Sequence, residues 1–151
     1  MSTTVALADL HTLVGTELEP SPWQEITQER INGFAAATDD EQWIHCDPDR
    51  AKDGPFGTTI AHGYLTLSMV IPLFTDMLDV TGVTTKLNYG LNKVRFPAPV
   101  TVGSRIRLAA TIREVEDLGG GGYQLTFDAA VQIEGQDKPG CVAQPVFRFY
   151  A

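Results

Sequence analysis

The first half of the chain contains two stretches whose apolar residues recur with helical spacing. In the first, residues from Ile31 to Thr38 repeat at i, i+3, i+4 and i+7 on one face of a helix. Thr27, just upstream, is a favourable N-cap, so we expect this helix to start after it. The second stretch, Ala61 to Asp79, is apolar on nearly every face, which indicates a helix enclosed by the rest of the fold. Pro72 lies inside it and is expected to kink it or weaken one turn.

The second half alternates apolar and polar positions with the period of two that is typical of strands. The alternation defines four runs, at residues 87–96, 102–113, 123–133 and 142–150. In the first run the phase reverses at Asn92 and Lys93, which predicts a β-bulge. Pro145 lies in the last run and predicts an edge strand or a bulge there, because proline cannot donate a ladder hydrogen bond.

An enclosed helix followed by long strands predicts an α+β fold in which a curved antiparallel sheet wraps around the helix. The first 20 residues are weakly patterned, with enough apolar residues between Leu7 and Val14 for one or two helical turns. A length of 151 residues is that of one domain with a full hydrophobic core. We therefore expect residues 1–151 to form a single domain.

The net charge and the two cysteines narrow the possible functions. A net charge of −8 without a cluster of Lys or Arg argues against nucleic acid as a partner. Cys46 and Cys141 lie far apart and lack metal spacing, so we expect no metal site and no disulfide, as in a reducing cytoplasm. Residues 1–10 lack the basic start and apolar core of a signal peptide. Polar residues interrupt the apolar stretch from Ala61 to Asp79, which argues against a membrane-spanning helix there.

The residues that can carry chemistry lie between the two predicted helices. Asp40 and His45 are five positions apart in a loop, where a carboxylate and an imidazole can share proton transfer. This spacing alone is a weak signal. Asp39 and Asp40 also fit the C-terminal end of a helix, and His45 also fits a structural histidine. A second polar run, Ile60 to Gly63, stands directly before the apolar helix.

These two polar runs resemble those of one enzyme family. The stretches Phe34–Asp47, Gly54–Gly57 and Ile60–Gly63 are similar to the MaoC-like (R)-specific enoyl-CoA hydratases, and the similarity covers about residues 15–150. The family motif is roughly Gly-Asp-x-Asn-Pro-apolar-His. Its Asp falls on Asp40 and its His on His45.

The chain departs from the commoner motif at three positions: Asp39 stands for Gly, Gln42 for Asn and Trp43 for Pro. Gln42 keeps the amide. The resemblance implies the hotdog fold, in which a curved antiparallel sheet surrounds one long central helix. A single copy of the motif implies a single hotdog, for which a homodimer joined edge to edge is the family norm.

The reaction implied by the resemblance is reversible addition of water to a trans-2-enoyl-CoA thioester, giving the (R)-3-hydroxyacyl-CoA. Asp40 and His45 are then the acid/base pair that activates one water. The N–H of Gly63, at the positive end of the central helix, is the candidate oxyanion donor. Gln42 is a candidate substrate contact, and His62 is a second-choice catalytic residue. No cofactor is implied.

Two other functions stay open. An acyl-CoA thioesterase of the same fold commonly has a carboxylate on or near the central helix, whereas Tyr64–Met69 contains no acid. A non-catalytic acyl-thioester-binding dimer has no need of both Asp40 and His45. Cys46, beside His45, is interpreted as a small buried residue and not as a nucleophile.

Overall fold

The computed structural model describes residues 2–151 and contains a main sheet packed against a segmented helix. The helices are a 3-10 helix at Leu7–Leu13, α1 at Gln28–Thr38, α2 at Trp43–Cys46, α3 at Pro48–Ala51, α4 at Gly63–Ser68 and α5 at Val70–Met77. The strands are β1 at Thr3–Ala6, β2 at Gln24–Glu25, β3 at Leu78–Thr81, β4 at Thr85–Arg95, β5 at Arg105–Gly119, β6 at Gly122–Ile133 and β7 at Cys141–Tyr150.

The main sheet has the strand order β2-β5-β6-β7-β4, and every neighbouring pair is antiparallel. Its inner face packs against α4 and α5. Alternate residues of β5 and β6 are buried, as period-two patterning requires. The predicted α+β arrangement of an antiparallel sheet around a central helix is therefore confirmed.

The central helix is interrupted once. Met69 separates α4 from α5, and Pro72 lies four residues after Ser68. Because proline has no N–H, the carbonyl of Ser68 cannot receive its usual helical hydrogen bond, which confirms the predicted weak turn. The helix also ends earlier than Asp79. Leu78 and Asp79 belong to β3, which pairs in parallel with β1.

The bulges in β4 lie where the strand pairs with β7. The register shifts between Leu91 and Val94, which confirms the bulge predicted at Asn92 and Lys93. Pro145 pairs with Leu91 beside this bulge. Strand β7 lies between β6 and β4, so the alternative of an edge position for Pro145 was wrong.

One hydrophobic cluster connects the helix to the sheet. Phe127 of β6 is fully buried and stacks on Phe74 of α5, with ring centroids 4.1 Å apart. Phe147 of β7 meets both rings edge-on, at 5.6 Å from Phe74 and 5.2 Å from Phe127. These contacts hold α5 against the middle of the sheet. Among residues 2–151, no helix is both long and apolar enough to cross a membrane.

Candidate active site

Asp40 follows a tight left-handed turn at the end of α1. The N-terminus of this helix is capped as predicted, since the Thr27 hydroxyl accepts from the N–H of Arg30 at 3.1 Å. At the other end, Asp39 takes a left-handed conformation with φ of 58°. The N–H groups of Asp39 and Asp40 both point to the carbonyl of Ala35. The side chain of Asp40 is 54% exposed, so its carboxylate is open to solvent and to a ligand.

His45 lies on the short helix α2 and is almost completely buried. Its Nδ1 lies 2.7 Å from the carbonyl oxygen of Ile60. A carbonyl oxygen only accepts hydrogen bonds, so Nδ1 carries the proton and donates it. In the neutral ring Nε2 is then left as an acceptor, the form that can take a proton from water.

Two residues that the sequence did not single out hold this part of the chain in place. Gln28 of α1 donates from Nε2 to the carbonyl oxygen of His45 at 2.7 Å. The hydroxyl of fully buried Thr59 donates to Oε1 of Gln28 at 2.6 Å. Gln28 therefore connects α1, α2 and the segment before α4. Neither residue type is distinctive, and only the position of Thr59 next to Ile60–Gly63 gave a signal.

His62 brings the second polar run into contact with the first. Its ring stacks on that of His45, with centroids 3.8 Å apart and planes 21° apart. Its Nε2 lies 2.8 Å from the backbone carbonyl oxygen of Asp40. A carboxylate oxygen of Asp40 and one ring nitrogen from each histidine all lie within 4.8 Å of one another. The structure therefore brings Asp40 and His45 together.

A separation of at most 4.8 Å leaves room for one bridging water. A water that donates to two acceptors at about 2.8 Å each holds them roughly 4.5 Å apart. The three side chains also have donor types used by metal ions. One nitrogen of each histidine donates to a carbonyl, which leaves the other nitrogen of each neutral ring as an acceptor. The expectation of a metal-free site stays a prediction.

Gly63 directly follows His62 and begins α4. The first N–H groups of a helix have no partner within the helix, so they can bind an anionic oxygen. A Cβ at this position would lie 3.2 Å from the ring of Phe96, so the glycine allows that ring to pack closely against the start of the helix. Gly63, Thr66 and Phe96 line a cavity of about 250 Å³. The structure therefore leaves open space at the predicted oxyanion donor.

Comparisons with known proteins identify the family. Residues 9–129 match the family model of the MaoC-like domain. The chain belongs to the MaoC-like domain family. It is 52% identical to 3-hydroxyacyl-thioester dehydratase Z of Mycobacterium tuberculosis, over all of both chains.

Solved structures resemble the MaoC-like chain in fold. A monoamine oxidase regulatory protein from Archaeoglobus superposes with a TM-score of 0.77 at 24% identity, covering 99% of this chain and 97% of that one. The (R)-hydratase from A. caviae involved in PHA biosynthesis gives a TM-score of 0.70 at 22% identity, covering 89% and 94%. These neighbours support the hotdog arrangement.

The three departures from the MaoC-like motif have local structural consequences. Asp39 stands where the motif has glycine, and its left-handed φ explains why glycine suits this position; aspartate is among the residues that tolerate it. Trp43 packs against Gly54, and the guanidinium carbon of Arg50 lies 4.4 Å from the centre of the Trp43 ring.

Gln42 precedes α2, and its carbonyl accepts from the N–H of His45. Its exposed side chain makes no capping hydrogen bond.

Cys46 of the MaoC-like chain does not have the surroundings of a nucleophile. Partial burial, together with the carboxylates of Glu41 and Asp40, raises the pKa of its thiol. The reactive thiolate is therefore disfavoured at neutral pH. This agrees with the prediction that Cys46 is not a nucleophile, but the side chain is only partly buried, so the expectation of a buried residue was wrong.

Proposed function

We propose that this protein catalyses the reversible addition of water to trans-2-enoyl-CoA, giving (R)-3-hydroxyacyl-CoA. The observation that carries the proposal is the pairing of exposed Asp40 with buried His45, which bring a carboxylate oxygen and a ring nitrogen within 4.8 Å of each other. The full-length relative at 52% identity is named as a 3-hydroxyacyl-thioester dehydratase, which is the same reaction in the other direction. The substrate of this chain is inferred as an acyl thioester on that basis.

The Asp40–His45 pair performs the proton transfers of the proposed reaction. One water donates to the Asp40 carboxylate and to Nε2 of His45. As its oxygen bonds to the β-carbon of the substrate, one of the two acceptors takes its proton. The electrons of the double bond move onto the thioester oxygen, and the protonated acceptor then returns its proton to the α-carbon. Water is consumed, and both side chains recover their starting state.

Gly63 and Gln42 bind the substrate in this proposal. The N–H of Gly63 donates to the thioester oxygen as that oxygen gains negative charge, aided by the positive end of the central helix. The exposed amide of Gln42 contacts the substrate near α2. Removing one oxyanion donor typically lowers kcat about 100- to 1,000-fold, so the donor at Gly63 is expected to matter on a scale similar to that of the proton transfers.

A thioesterase is the second candidate, because it also needs an activated water beside an acyl thioester. The first turns of α4 contain no carboxylate, and the hydroxyls of Thr66 and Ser68 point back to the backbone carbonyls of His62 and Tyr64. Asp40 is therefore the nearby acid, and it is paired with His45. This arrangement favours hydration over attack on the thioester carbon.

The first experiment is a product assay on crotonyl-CoA and on a longer trans-2-enoyl-CoA. We expect the absorbance of the enoyl group to fall at a catalysed rate, with no release of free CoA thiol. Release of thiol together with a free acid that keeps the carbon–carbon double bond would support the thioesterase instead. Binding of both substrates without either reaction would support the non-catalytic binding dimer.

We further propose a homodimer that forms through β4. This strand is one edge of the main sheet and has eleven residues, whereas β2, the other edge, has two. Three large apolar residues on β4 are exposed: Leu87, Tyr89 and Leu91. An exposed, long and apolar edge strand is prone to pair with another strand. A second copy of β4 provides a partner with the same apolar residues.

Sedimentation equilibrium tests the dimer. Wild type is expected at about twice the 16.4 kDa mass of the chain. The double variant Leu87→Lys and Leu91→Lys is expected to shift toward the monomer, because it places like charges on both copies. Val14→Lys is the control, since Val14 is also exposed but lies outside β4. A wild-type monomer, or a double variant that remains dimeric, would contradict the proposal.

A cytoplasmic location and a single domain over residues 1–151 complete the proposal. Both cysteines, Cys46 and Cys141, are free thiols. Free thiols agree with a reducing compartment. Apolar residues from Leu7 to Phe149 join one core cluster, which agrees with one folding unit.

A further inference from the structure

His62 is in contact with both members of the proposed catalytic pair, although it precedes α4 and lies 17 or more positions after them in the chain. The side chain is 3% exposed. Its ring lies between Phe34 of α1, at 4.8 Å, and His45 of α2, at 3.8 Å. His62 therefore connects the two loops on which the sequence motifs lie.

The hydrogen bonds of His62 identify its tautomer. Nε2 faces the carbonyl oxygen of Asp40 at 2.8 Å, so Nε2 carries the proton and donates. The other nitrogen, Nδ1, is buried and has no hydrogen-bond partner among residues 2–151. A buried acceptor without a partner loses its bond to water and gains none in the protein, which destabilises the folded state. A phenylalanine would fill the same space without that cost, so packing alone does not account for a histidine here.

The histidine differs from phenylalanine in one useful respect, which is the donor that reaches Asp40. Asp40 lies just past the end of α1, directly after the left-handed residue Asp39. The bonds from the N–H groups of these two residues to the carbonyl of Ala35 are the last hydrogen bonds of that helix. The Asp40 carboxylate is half exposed and 4.0 Å from Nε2 of His62, beyond direct hydrogen-bonding distance. The bond from His62 to the Asp40 carbonyl thus fixes the backbone from which that carboxylate extends.

We propose that His62 is a positioning residue for the hydration reaction. Its Nε2–H donates to the carbonyl of Asp40 and so holds the backbone from which the Asp40 carboxylate extends. The two proton-transfer groups thereby keep the separation that one water can bridge. This inference rests on the proposed function, because it assigns His62 a part in that same site. His62 itself exchanges no proton with the substrate.

Two variants at position 62 separate the effect of the hydrogen bond from the effect of the aromatic ring. His62→Phe keeps an aromatic ring between Phe34 and His45 but removes the donor. His62→Gln keeps an N–H at nearly the same reach but removes the ring. Misplacing a catalytic group by about 1 Å can cost roughly 100-fold in rate. We expect His62→Phe to lower kcat about 10- to 100-fold with little change in KM, and His62→Gln to recover most of that loss.

Steady-state kinetics on crotonyl-CoA, with folding checked by circular dichroism, provide the test. Wild-type kcat in His62→Phe would overturn the proposal, as would equal losses in both variants.

A second measurement needs neither enzymatic activity nor a folded variant. The ¹⁵N shifts of the His62 ring in wild type should report the Nε2–H tautomer. Finding the Nδ1–H tautomer would overturn the proposal even in an active enzyme, whereas an inactive wild type with the Nε2–H tautomer would refute the hydratase assignment alone.

Discussion

Replacing Asp40 by Asn, or His45 by Gln, is expected to lower kcat for hydration of crotonyl-CoA by about 100- to 10,000-fold. General acid–base catalysis by one positioned side chain typically contributes a factor of this size. Asn presents an amide that cannot take a proton from water at neutral pH. Gln has the same defect, and it also replaces the ring that stacks on His62. KM should change much less than kcat, because both groups act mainly on the water.

Glu41→Gln provides a matched control for the Asp40 variant. It makes the same carboxylate-to-amide change at the next residue, whose side chain is exposed. We expect kcat of Glu41→Gln to stay near that of wild type. Loss of activity in this control to the level of Asp40→Asn would show that the loss follows local charge and not the catalytic pair. Wild-type rates in either Asp40→Asn or His45→Gln would remove this loop from the site.

The double variant Asp40→Asn/His45→Gln tests whether the two side chains act on one water. Groups that act as a unit lose most of their contribution when either is removed, so their effects are not additive. We expect the double variant to be about as slow as the slower single variant. Multiplied losses would instead indicate that Asp40 and His45 act in separate steps. Thermal unfolding of each variant checks that the fold is intact.

The parts of the fold that local physics determines were predictable from the sequence. Thr27 caps α1 and Asp47 caps α3 because a side-chain oxygen satisfies a nearby N–H, which depends on residues three positions apart. The alternation in β5 and β6 likewise depends only on which face is buried. By contrast, the pairing of segments far apart in the chain leaves no local pattern in the sequence. Strand β1 pairs with β3 across more than 70 residues, so neither the strand β1 nor the early end of the central helix was predicted.

The candidate site was predictable in its chemistry but only partly in its support. Asp40 and His45 are five positions apart in the chain and carry the family resemblance, so their proximity in the structure agrees with the prediction, and their roles stay proposals. Gln28 and Thr59 were missed because each has an ordinary residue type and acts through a contact more than 15 positions away. The stack of His62 on His45 also depends on tertiary packing. Sequence spacing reports neighbours in the chain, whereas these contacts depend on how α1, α2 and α4 meet.

Replacing Phe127 by Ala is expected to lower the free energy of unfolding by about 3–5 kcal/mol, the usual cost of truncating a buried phenylalanine. Phe127 is fully buried on β6 and contacts the rings of Phe74 and Phe147. The change removes apolar burial and leaves a cavity between α5 and the sheet. Such a loss is a large fraction of the stability of a domain this size. Urea unfolding at one fixed protein concentration measures it, since dimer formation would make stability depend on concentration.

Phe56→Ala is the matched control for this prediction, because Phe56 is the same residue type but 41% exposed. Substitutions at exposed positions usually change stability by less than about 0.5 kcal/mol. The difference between the two variants therefore isolates burial from the chemical change. Equal losses in both would show that the three-ring cluster does not hold α5 on the sheet. If Phe127→Ala alone is destabilised, the contact between the rings of Phe127 and Phe74 contributes to the stability of the packing of α5 on the sheet.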